Sequence, residues 1–396
     1  MQPIDFISPW YFGTAYYILL LILSWITVLY YVGSARQKIL HAEGSPMQGA
    51  ALVLTLALTF FLGLRQISYT FGDMFMYTHT YENVIRNYSS FSLRTEWLWD
   101  NIMYFCKSTG FNVYEFFLIV EIGYFAGMFI CAMIMMRKNL WIAVLFFYTA
   151  FSCYSFSTNG IRNGLGCSIE LVAICLFALG GAKRYAGYFL MLMALGIHRS
   201  TILPSAAAIA SVFFIKDTKM AIRFWIISIG ISLIAGPLVE SFFAALGFDD
   251  RMSDYASTNQ DEYSMSQFSQ SGFRWDFLLY SAAPVAMIWY ITRYRKFTDR
   301  IYHIFAISYL LCNAFWIMVI RSAFSNRFAY LSWFLYPVVM AYPLLRMNIW
   351  KDQDRKTALI FFLYSGFTFF MFFIYYFGTG NGFNGFDQYW WRQGYN

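Results

Sequence analysis

Five arginines and one histidine interrupt a mostly apolar sequence at positions where charged groups are uncommon. They are Arg65, Arg162, Arg199, Arg321, Arg327 and His198. Each arginine lies at an end of an apolar segment, and the histidine precedes one of them in the stretch GIHRST. Guanidinium groups stay charged at all relevant pH and form paired hydrogen bonds with phosphate oxygens, and an imidazole can take up a proton near neutral pH. These residue types are suited to binding a phosphate-bearing substrate beside a base.

The composition indicates what kind of scaffold must position these residues. The chain has 396 residues, of which 59% are hydrophobic, 22% aromatic and only 12% charged. This balance excludes an ordinary soluble domain. Apolar runs that match a hydrocarbon layer of about 30 Å recur along the chain, and the polar stretches between them are too short for separate domains. The sequence therefore predicts an all-α polytopic membrane protein with a single integral membrane domain, 1–396.

We expect about twelve transmembrane helices from the apolar segments. Their predicted ranges are 13–33, 47–64, 113–136, 140–157, 161–181, 185–197, 201–215, 222–247, 276–291, 301–320, 327–345 and 357–376. The six cysteines show no CxxC spacing, so neither a zinc site nor a disulfide framework is predicted. Walker, HExxH and GxSxG motifs are absent from the sequence, which gives no support to an ATPase, a zinc protease or a serine hydrolase of those types. No cofactor, metal or nucleic-acid partner is predicted.

The distribution of Lys and Arg predicts the orientation, because these residues accumulate in cytoplasmic loops. An N-terminus on the outer side places most of the 28 Lys and Arg residues in the cytoplasm. Two long loops, 65–112 and 248–275, are then periplasmic. The first mixes aromatic and charged residues at near-helical spacing, which predicts amphipathic helices along the membrane surface. The five arginines all fall at the outer face, although each one alone could simply extend to water or lipid phosphate.

The GIHRST stretch joins two apolar segments that are too short to cross a membrane. The segment 185–197 follows Lys183 and Arg184, and the segment 201–215 precedes Lys216, so both basic ends should be cytoplasmic. Arms of about thirteen to fifteen residues reach roughly 20 Å at 1.5 Å per residue. The turn should therefore lie below the outer surface, with His198 facing a recessed, partly wet pocket. The alternative is a buried histidine that only satisfies a hydrogen bond.

Other charged residues give weaker signals. Asp73 follows a glycine in YTFGDMFMY, where its carboxylate could hold an acceptor hydroxyl, pair with an arginine or occupy an ordinary exposed turn. His79 is an alternative base. Glu115, Glu121 and Glu170 lie in apolar segments, where a carboxylate is costly unless it faces a cavity or a partner.

Three patches resemble the EpsG-like branch of the Wzy-type bacterial O-antigen and exopolysaccharide polymerases. They are GLRQISYTFGDMFMY at 63–77, STNGIRNGLGCSIELVAICLFALGGAKRYAGYFLMLMALGIHRSTI at 157–202 and RSAFSNRFAYLSWFLYPVV at 321–339. The middle patch is the most specific, because it is similar to the Ile-Arg-Gln/Asn opening and His-Lys/Arg-Ser turn of that family. Two departures are Asp73 directly after Gly72, without the usual spacer, and Arg199 where Lys is common.

The resemblance implies a GT-C-like integral glycosyltransferase in the bacterial inner membrane, with its active site facing the periplasm. Its substrates would be an undecaprenyl-pyrophosphate-linked glycan donor and acceptor, and a flippase and a chain-length regulator would act in the same pathway. His198 would be the base and Asp73 a second catalytic residue. The pyrophosphate would be bound by Arg65, Arg162, Arg199, Arg321 and Arg327.

Three other functions remain open at this point. An O-antigen ligase would use the same donor and similar groups. A lipid-linked oligosaccharide flippase or other transporter also commonly has about twelve spans, but would be expected to show two related halves and polar residues along a central passage. A membrane acyltransferase can use a histidine at membrane level, but its acyl donor does not call for a cluster of pyrophosphate-binding arginines.

Overall fold

The computed structural model describes residues 1–33, 47–84, 96–245, 273–321 and 326–375. Within these ranges the regular structure is helical, without a strand. The α-helices are α1 Pro9–Gly33, α2 Gln48–Gly63, α3 Met74–His79, α4 Trp97–Ser108, α5 Val113–Met136, α6 Leu140–Tyr148, α7 Phe151–Thr158, α8 Ile161–Leu179, α9 Lys183–Ile197, α10 Ile202–Phe213, α11 Thr218–Ala245, α12 Trp275–Trp289, α13 Arg300–Met318, α14 Asn326–Trp333, α15 Tyr336–Arg346 and α16 Gln353–Phe370. The all-α prediction is confirmed for the described residues.

In the described part of the chain, seven helical segments are long and apolar enough to cross a membrane. They are Pro9–Gly33, Val113–Tyr148, Ile161–Leu179, Thr218–Gly236, Arg300–Met318, Arg327–Arg346 and Gln353–Phe373. This supports a multi-pass membrane protein. Each of the twelve predicted ranges contains helix, but the count of twelve spans is not confirmed, because several of these helices fall short of the membrane thickness.

Helix α8 lies at the centre of the packing, between α5 and α9. Two glycines permit the close approach. A Cβ at Gly127 of α5 would lie 2.6 Å from the carbonyl oxygen of Ser168, and a Cβ at Gly187 of α9 would lie 2.8 Å from the amide nitrogen of Phe177. Small residues at such crossings let helix backbones meet without an intervening side chain. The packing therefore fixes α9, and the turn at its end, against α8.

The two short arms around GIHRST are present as helices. Helix α9 has 15 residues and α10 has 12, with a 3₁₀ turn at Arg199–Thr201 between them. At 1.5 Å per residue the arms reach roughly 18 to 22 Å, as expected. They pack against different neighbours, because α9 lies along α8 whereas α10 lies along α13. The turn between them is thus held from two sides.

The first long loop contains the amphipathic helix α4. Its buried residues, Trp99, Met103 and Cys106, recur at four- and three-residue spacing and form one face. The beginning of α4 lies over the last turn of α9, where a Cβ at Gly196 would lie 2.7 Å from the Trp97 ring. Residues 85–95 of this loop lie outside the described part of the chain, as do 246–272, which include most of the second predicted loop.

Candidate functional site

The α7–α8 connection, taken here to include the last two residues of α7 (157–160), holds several predicted residues in place. Its side chains and carbonyls accept or donate hydrogen bonds to three other parts of the fold. Ser157 donates to Glu121 at 2.9 Å, the Thr158 carbonyl accepts from Arg65 at 3.3 Å, and the Asn159 side-chain oxygen accepts from the amide of Asp73 at 2.8 Å. This connection ends where α8 begins, immediately before Arg162. It therefore ties the first patch of the sequence to the second.

Arg65 is fully buried in an ion pair. Its exposed fraction is 0%, and its Nη1 atom lies 3.1 Å from Oε1 of Glu121. It also donates to the Leu62 carbonyl at 2.5 Å and lies 5.6 Å from the ring centres of Phe71 and Phe117. These contacts join α2, α5 and the α7–α8 connection. A ligand outside the fold has no access to this guanidinium in the observed conformation. Arg65 is therefore a structural link between these elements.

Glu96 brings three predicted residues together. Its Oε2 atom forms an ion pair with Arg162, and its Oε1 atom lies 2.9 Å from Nδ1 of His198. The same Oε1 atom accepts a long hydrogen bond, 3.5 Å, from the backbone amide of Arg199. The side chains of Glu96, His198 and Arg162 are 18%, 16% and 26% exposed. One partly exposed carboxylate thus holds the histidine and the start of α8 in one cluster.

Local sequence explains why the imidazole stands at this point. His198 has extended backbone angles, φ −148° and ψ 116°, and ends α9. Its carbonyl accepts from the Thr201 amide at 3.0 Å and from the Thr201 hydroxyl at 2.9 Å, which closes the turn. On the other side, Gly166 of α8 faces the turn, and a Cβ there would lie 3.2 Å from Cβ of His198. The glycine lets the turn seat directly on α8.

The charges around Glu96 favour its ionised form. Burial raises the pKa of its carboxyl, but the hydrogen bond with His198, the charge of Arg162 and the Arg199 amide lower it and prevail, so the pKa lies below its ordinary value. A carboxylate that accepts a hydrogen bond from Nδ1 favours the tautomer with its hydrogen on Nδ1. The other ring nitrogen, Nε2, then carries the lone pair. This is the arrangement of a general base held by a carboxylate.

Asp73 and Arg327 form a second, more open pair. The Nη2 atom of Arg327 lies 3.5 Å from Oδ2 of Asp73, and their side chains are 32% and 38% exposed. The Asp73 amide is bound to Asn159, and Gly72 has φ +60°, where a Cβ would clash with the Asn159 amide. Only glycine fits such a conformation without strain. The pair is therefore tied to the connection that precedes Arg162.

Arg321 forms no ion pair with either group in the described part of the structure. Its side chain is exposed, and its Cδ atom would lie 3.2 Å from a Cβ on Gly236 of α11. Among the described residues it has no ion pair, and residues 322–325, which follow it, lie outside the described part.

His79, the alternative base, is exposed at the end of α3. Glu115 caps α5 and contacts the N-terminal amine at 2.7 Å, and Glu170 accepts from Ser205 at 2.9 Å.

Sequence reasoning did not single out Glu96 or Asn159. Glu96 stands in LRTEWLWD directly before α4, in a loop with several charges, and its contact with His198 spans 102 positions. The available signal was an acidic residue at the start of an amphipathic helix. Within the described ranges, no group of three or more His, Cys, Asp or Glu residues could hold a metal ion.

The fold and this site define a multi-pass helical membrane protein with a His–Glu pair beside arginines at helix ends. The family model of the EpsG family matches residues 50–389, and the chain belongs to that family. Comparison with curated proteins and with solved structures found no match. Family membership supports a glycosyltransferase-like membrane enzyme of polysaccharide polymerisation. The GT-C-like architecture stays a prediction.

Proposed function

We propose that the protein polymerises undecaprenyl-pyrophosphate-linked oligosaccharide repeat units into O-antigen or exopolysaccharide on the periplasmic face of the inner membrane. The observation that carries the proposal is the contact of Glu96 with both His198 and Arg162. This contact supports the proposal, because it joins a histidine that could act as the base to an arginine at a helix end. A transfer reaction with a diphosphate leaving group needs both kinds of residue.

In the proposed reaction, a hydroxyl of the acceptor's terminal sugar attacks the anomeric carbon of the donor glycan. The new glycosidic C–O bond forms as the bond from that carbon to the pyrophosphate oxygen breaks. The hydroxyl proton passes to Nε2 of His198, and Glu96 stabilises the resulting imidazolium through Nδ1. Direct displacement without a covalent intermediate inverts the anomeric centre.

Arginines would stabilise the negative charge that develops on undecaprenyl pyrophosphate. The Nε atom of Arg162 is buried and has no hydrogen-bond partner within the described ranges, so it could donate to a phosphate oxygen after a small shift of the side chain. Arg199 is exposed beside it on the same turn as His198. The proposal also includes Arg327, which pairs with Asp73, and Arg321. Asp73 would orient Arg327 or an acceptor hydroxyl.

The test is turnover of a defined undecaprenyl-pyrophosphate repeat unit by the purified protein, in the presence of a chelator. We expect a ladder of lipid-linked polymer from the unaltered protein. His198→Ala should lower the rate by about 10²- to 10⁴-fold, the usual contribution of a general base. His79→Ala is the matched control, since it removes an exposed histidine and should leave the rate unchanged. A His198→Ala protein with full activity at equal yield would refute the assignment of the base.

The same proposal predicts a phenotype in the host. With the gene deleted, lipid A core should carry one repeat unit, and the His198→Ala gene should fail to restore long chains. Bare core with accumulated lipid-linked polymer would instead identify a ligase. Absence of both products would identify a flippase. These outcomes separate the proposal from the two alternatives that share its substrate.

A further inference from the structure

A cleft with a volume of about 440 Å³ lies far from the His198 turn. It is lined from α10 by Ser211 and Val212, at the end of the helix opposite to His198. A helix of 12 residues is roughly 18 Å long, so the cleft is separate from the candidate site. Its remaining walls come from Lys216 in the α10–α11 connection, from the segment before α13 and from the first two turns of α13.

The cleft lining carries two cations and one carboxylate, so its net charge is positive. Lys216 and Arg300 are exposed at the mouth, and in the described part of the chain neither has an ion pair. The nearby carboxylate of Asp299 is already engaged by the fold. Its Oδ1 atom accepts from the Tyr302 amide at 2.8 Å, and its Oδ2 atom accepts from the Tyr342 hydroxyl at 3.2 Å. The two cations are therefore available to an anion.

An imidazole also lines the cleft with an unsatisfied polar atom. His303 lies one turn into α13, and its Nε2 atom is buried and has no hydrogen-bond partner among the described residues. A buried polar atom without a partner is costly, and in native folds such atoms are usually satisfied by protein, water or a bound ion. The atom lies on the same helix face as Arg300. With a proton on Nε2, this imidazole is a third group, after Lys216 and Arg300, that would interact with an anion.

The cleft changes from charged to apolar along one face of α13. Arg300, His303, Ile304 and Ile307 are spaced at three, four and seven residues, which places them on a single helix face. The face thus runs from a guanidinium at its end to the isoleucines that line the cleft about 6 and 10 Å further along the helix. Val212 of α10 faces the same space. A ligand that fits both parts has an anionic head and a hydrocarbon chain.

We propose that this cleft binds an anionic phospholipid, with the phosphate at Lys216 and Arg300 and an acyl chain against Val212, Ile304 and Ile307. Arg offers a planar set of donors that matches phosphate oxygens, and Lys adds a point charge. Basic pockets between membrane helices are suited to lipid headgroups. Free phosphate shares the headgroup chemistry but makes no use of the apolar wall. The inference does not depend on the proposed polymerase activity.

The experiment measures lipid binding to the purified full-length protein by native mass spectrometry. Phosphatidylglycerol is titrated against phosphatidylcholine, and glycerol phosphate and inorganic phosphate serve as headgroup-only competitors. The test variant is Lys216→Ala with Arg300→Ala. The control, Lys351→Ala with Arg355→Ala, removes the same charge from exposed positions outside the cleft. The single variants Lys216→Gln and Arg300→Gln keep polar side chains and guard against loss of folding in the double variant.

We expect phosphatidylglycerol to bind more tightly than phosphatidylcholine. The cleft variant should raise its Kd by about thirtyfold, since each cation near a headgroup contributes about 1 kcal/mol. Each single variant should raise it by about fivefold, and the control should change it by less than about twofold. Equal effects of cleft and control variants, or equal affinity for the two lipids, would overturn the site. Full competition by millimolar phosphate or glycerol phosphate would show a free anion as the ligand and overturn the lipid assignment.

Discussion

The Oε1 atom of Glu96 lies 2.9 Å from the Nδ1 atom of His198, across 102 positions of sequence. The carboxylate holds the imidazole while its other oxygen contacts Arg162. A histidine in this arrangement is oriented by its partner and does not depend on solvent for its tautomer. Glu96 is thus a positioning residue in the proposed mechanism.

Replacing Glu96 tests this role. Glu96→Gln keeps the size of the side chain but removes the charge that stabilises an imidazolium, so we expect the polymerisation rate to fall by at least about tenfold, with a smaller change in the KM for the repeat unit. Glu82→Gln is a matched control, because Glu82 lies in the same loop region and its partner is Lys107. A rate for Glu96→Gln equal to that of the control would remove Glu96 from the mechanism.

The lowered pKa of Glu96 predicts how stability depends on pH. Above the ordinary carboxyl pKa of about 4.3, the ionised Glu96 stabilises the folded protein, and this stabilisation is lost as the pH falls through the lowered pKa of the folded state. The Tm of Glu96→Gln should therefore lie below that of the unaltered protein at pH 7, and the two values should converge as the pH falls through the lowered pKa of the folded state. Thermal unfolding in detergent at pH 7 and at a series of acidic pH values measures this. A constant difference in Tm would contradict the ionised, stabilising carboxylate.

Arg65 should matter for folding and not for binding substrate. Removing one partner of a buried ion pair leaves an uncompensated charge and costs about 3 to 5 kcal/mol, whereas replacing both partners with apolar residues is often neutral. We expect Arg65→Met alone to lower the yield and the Tm, and Arg65→Met with Glu121→Leu to recover much of both. The recovered double variant should polymerise at a rate close to normal. Low turnover by a stable double variant would return Arg65 to the pyrophosphate site.

The helices could be predicted from the sequence, and the partners of the charged residues could not. Each of the twelve apolar runs in the sequence contains helix in the structure, because membrane helices must be apolar along their length. Arg65 and Arg162 look alike in the sequence, since both are arginines at ends of apolar segments. Their surroundings differ because Arg65 meets Glu121 from 56 positions away, whereas Arg162 meets Glu96 from 66 positions away in a partly exposed turn.

At the Asp73–Arg327 pair, the charge of Arg327 can be tested separately from the geometry of its guanidinium group. A pair whose side chains are about one third exposed contributes at most about 1 kcal/mol to stability, so changes here should leave folding intact. Arg327→Lys keeps the charge and loses the planar pair of donors, and we expect turnover to fall if the guanidinium contacts pyrophosphate. Arg321→Lys in the same assay tests the neighbouring cation. Unchanged turnover for Arg327→Lys would limit that residue to its ion pair with Asp73.

Gly196 offers a test of the site that alters none of its polar residues. A Cβ there would lie 2.7 Å from the Trp97 ring and 2.9 Å from Cβ of Leu98, so Gly196→Ala must push the start of α4 away from α9. Glu96 directly precedes Trp97 and would move with it. Alanine favours a helix over glycine by about 1 kcal/mol, which offsets part of the strain.

We therefore expect Gly196→Ala to reduce turnover in the same direction as Glu96→Gln while the protein remains folded. Gly230→Ala is the control, since a Cβ at Gly230 meets no atom within 4 Å, and it should leave turnover unchanged. Combining Gly196→Ala with Glu96→Gln should add little to either change alone, because both interrupt the same contact. Fully additive losses would mean that the α4–α9 contact acts on turnover by a route other than the Glu96–His198 hydrogen bond.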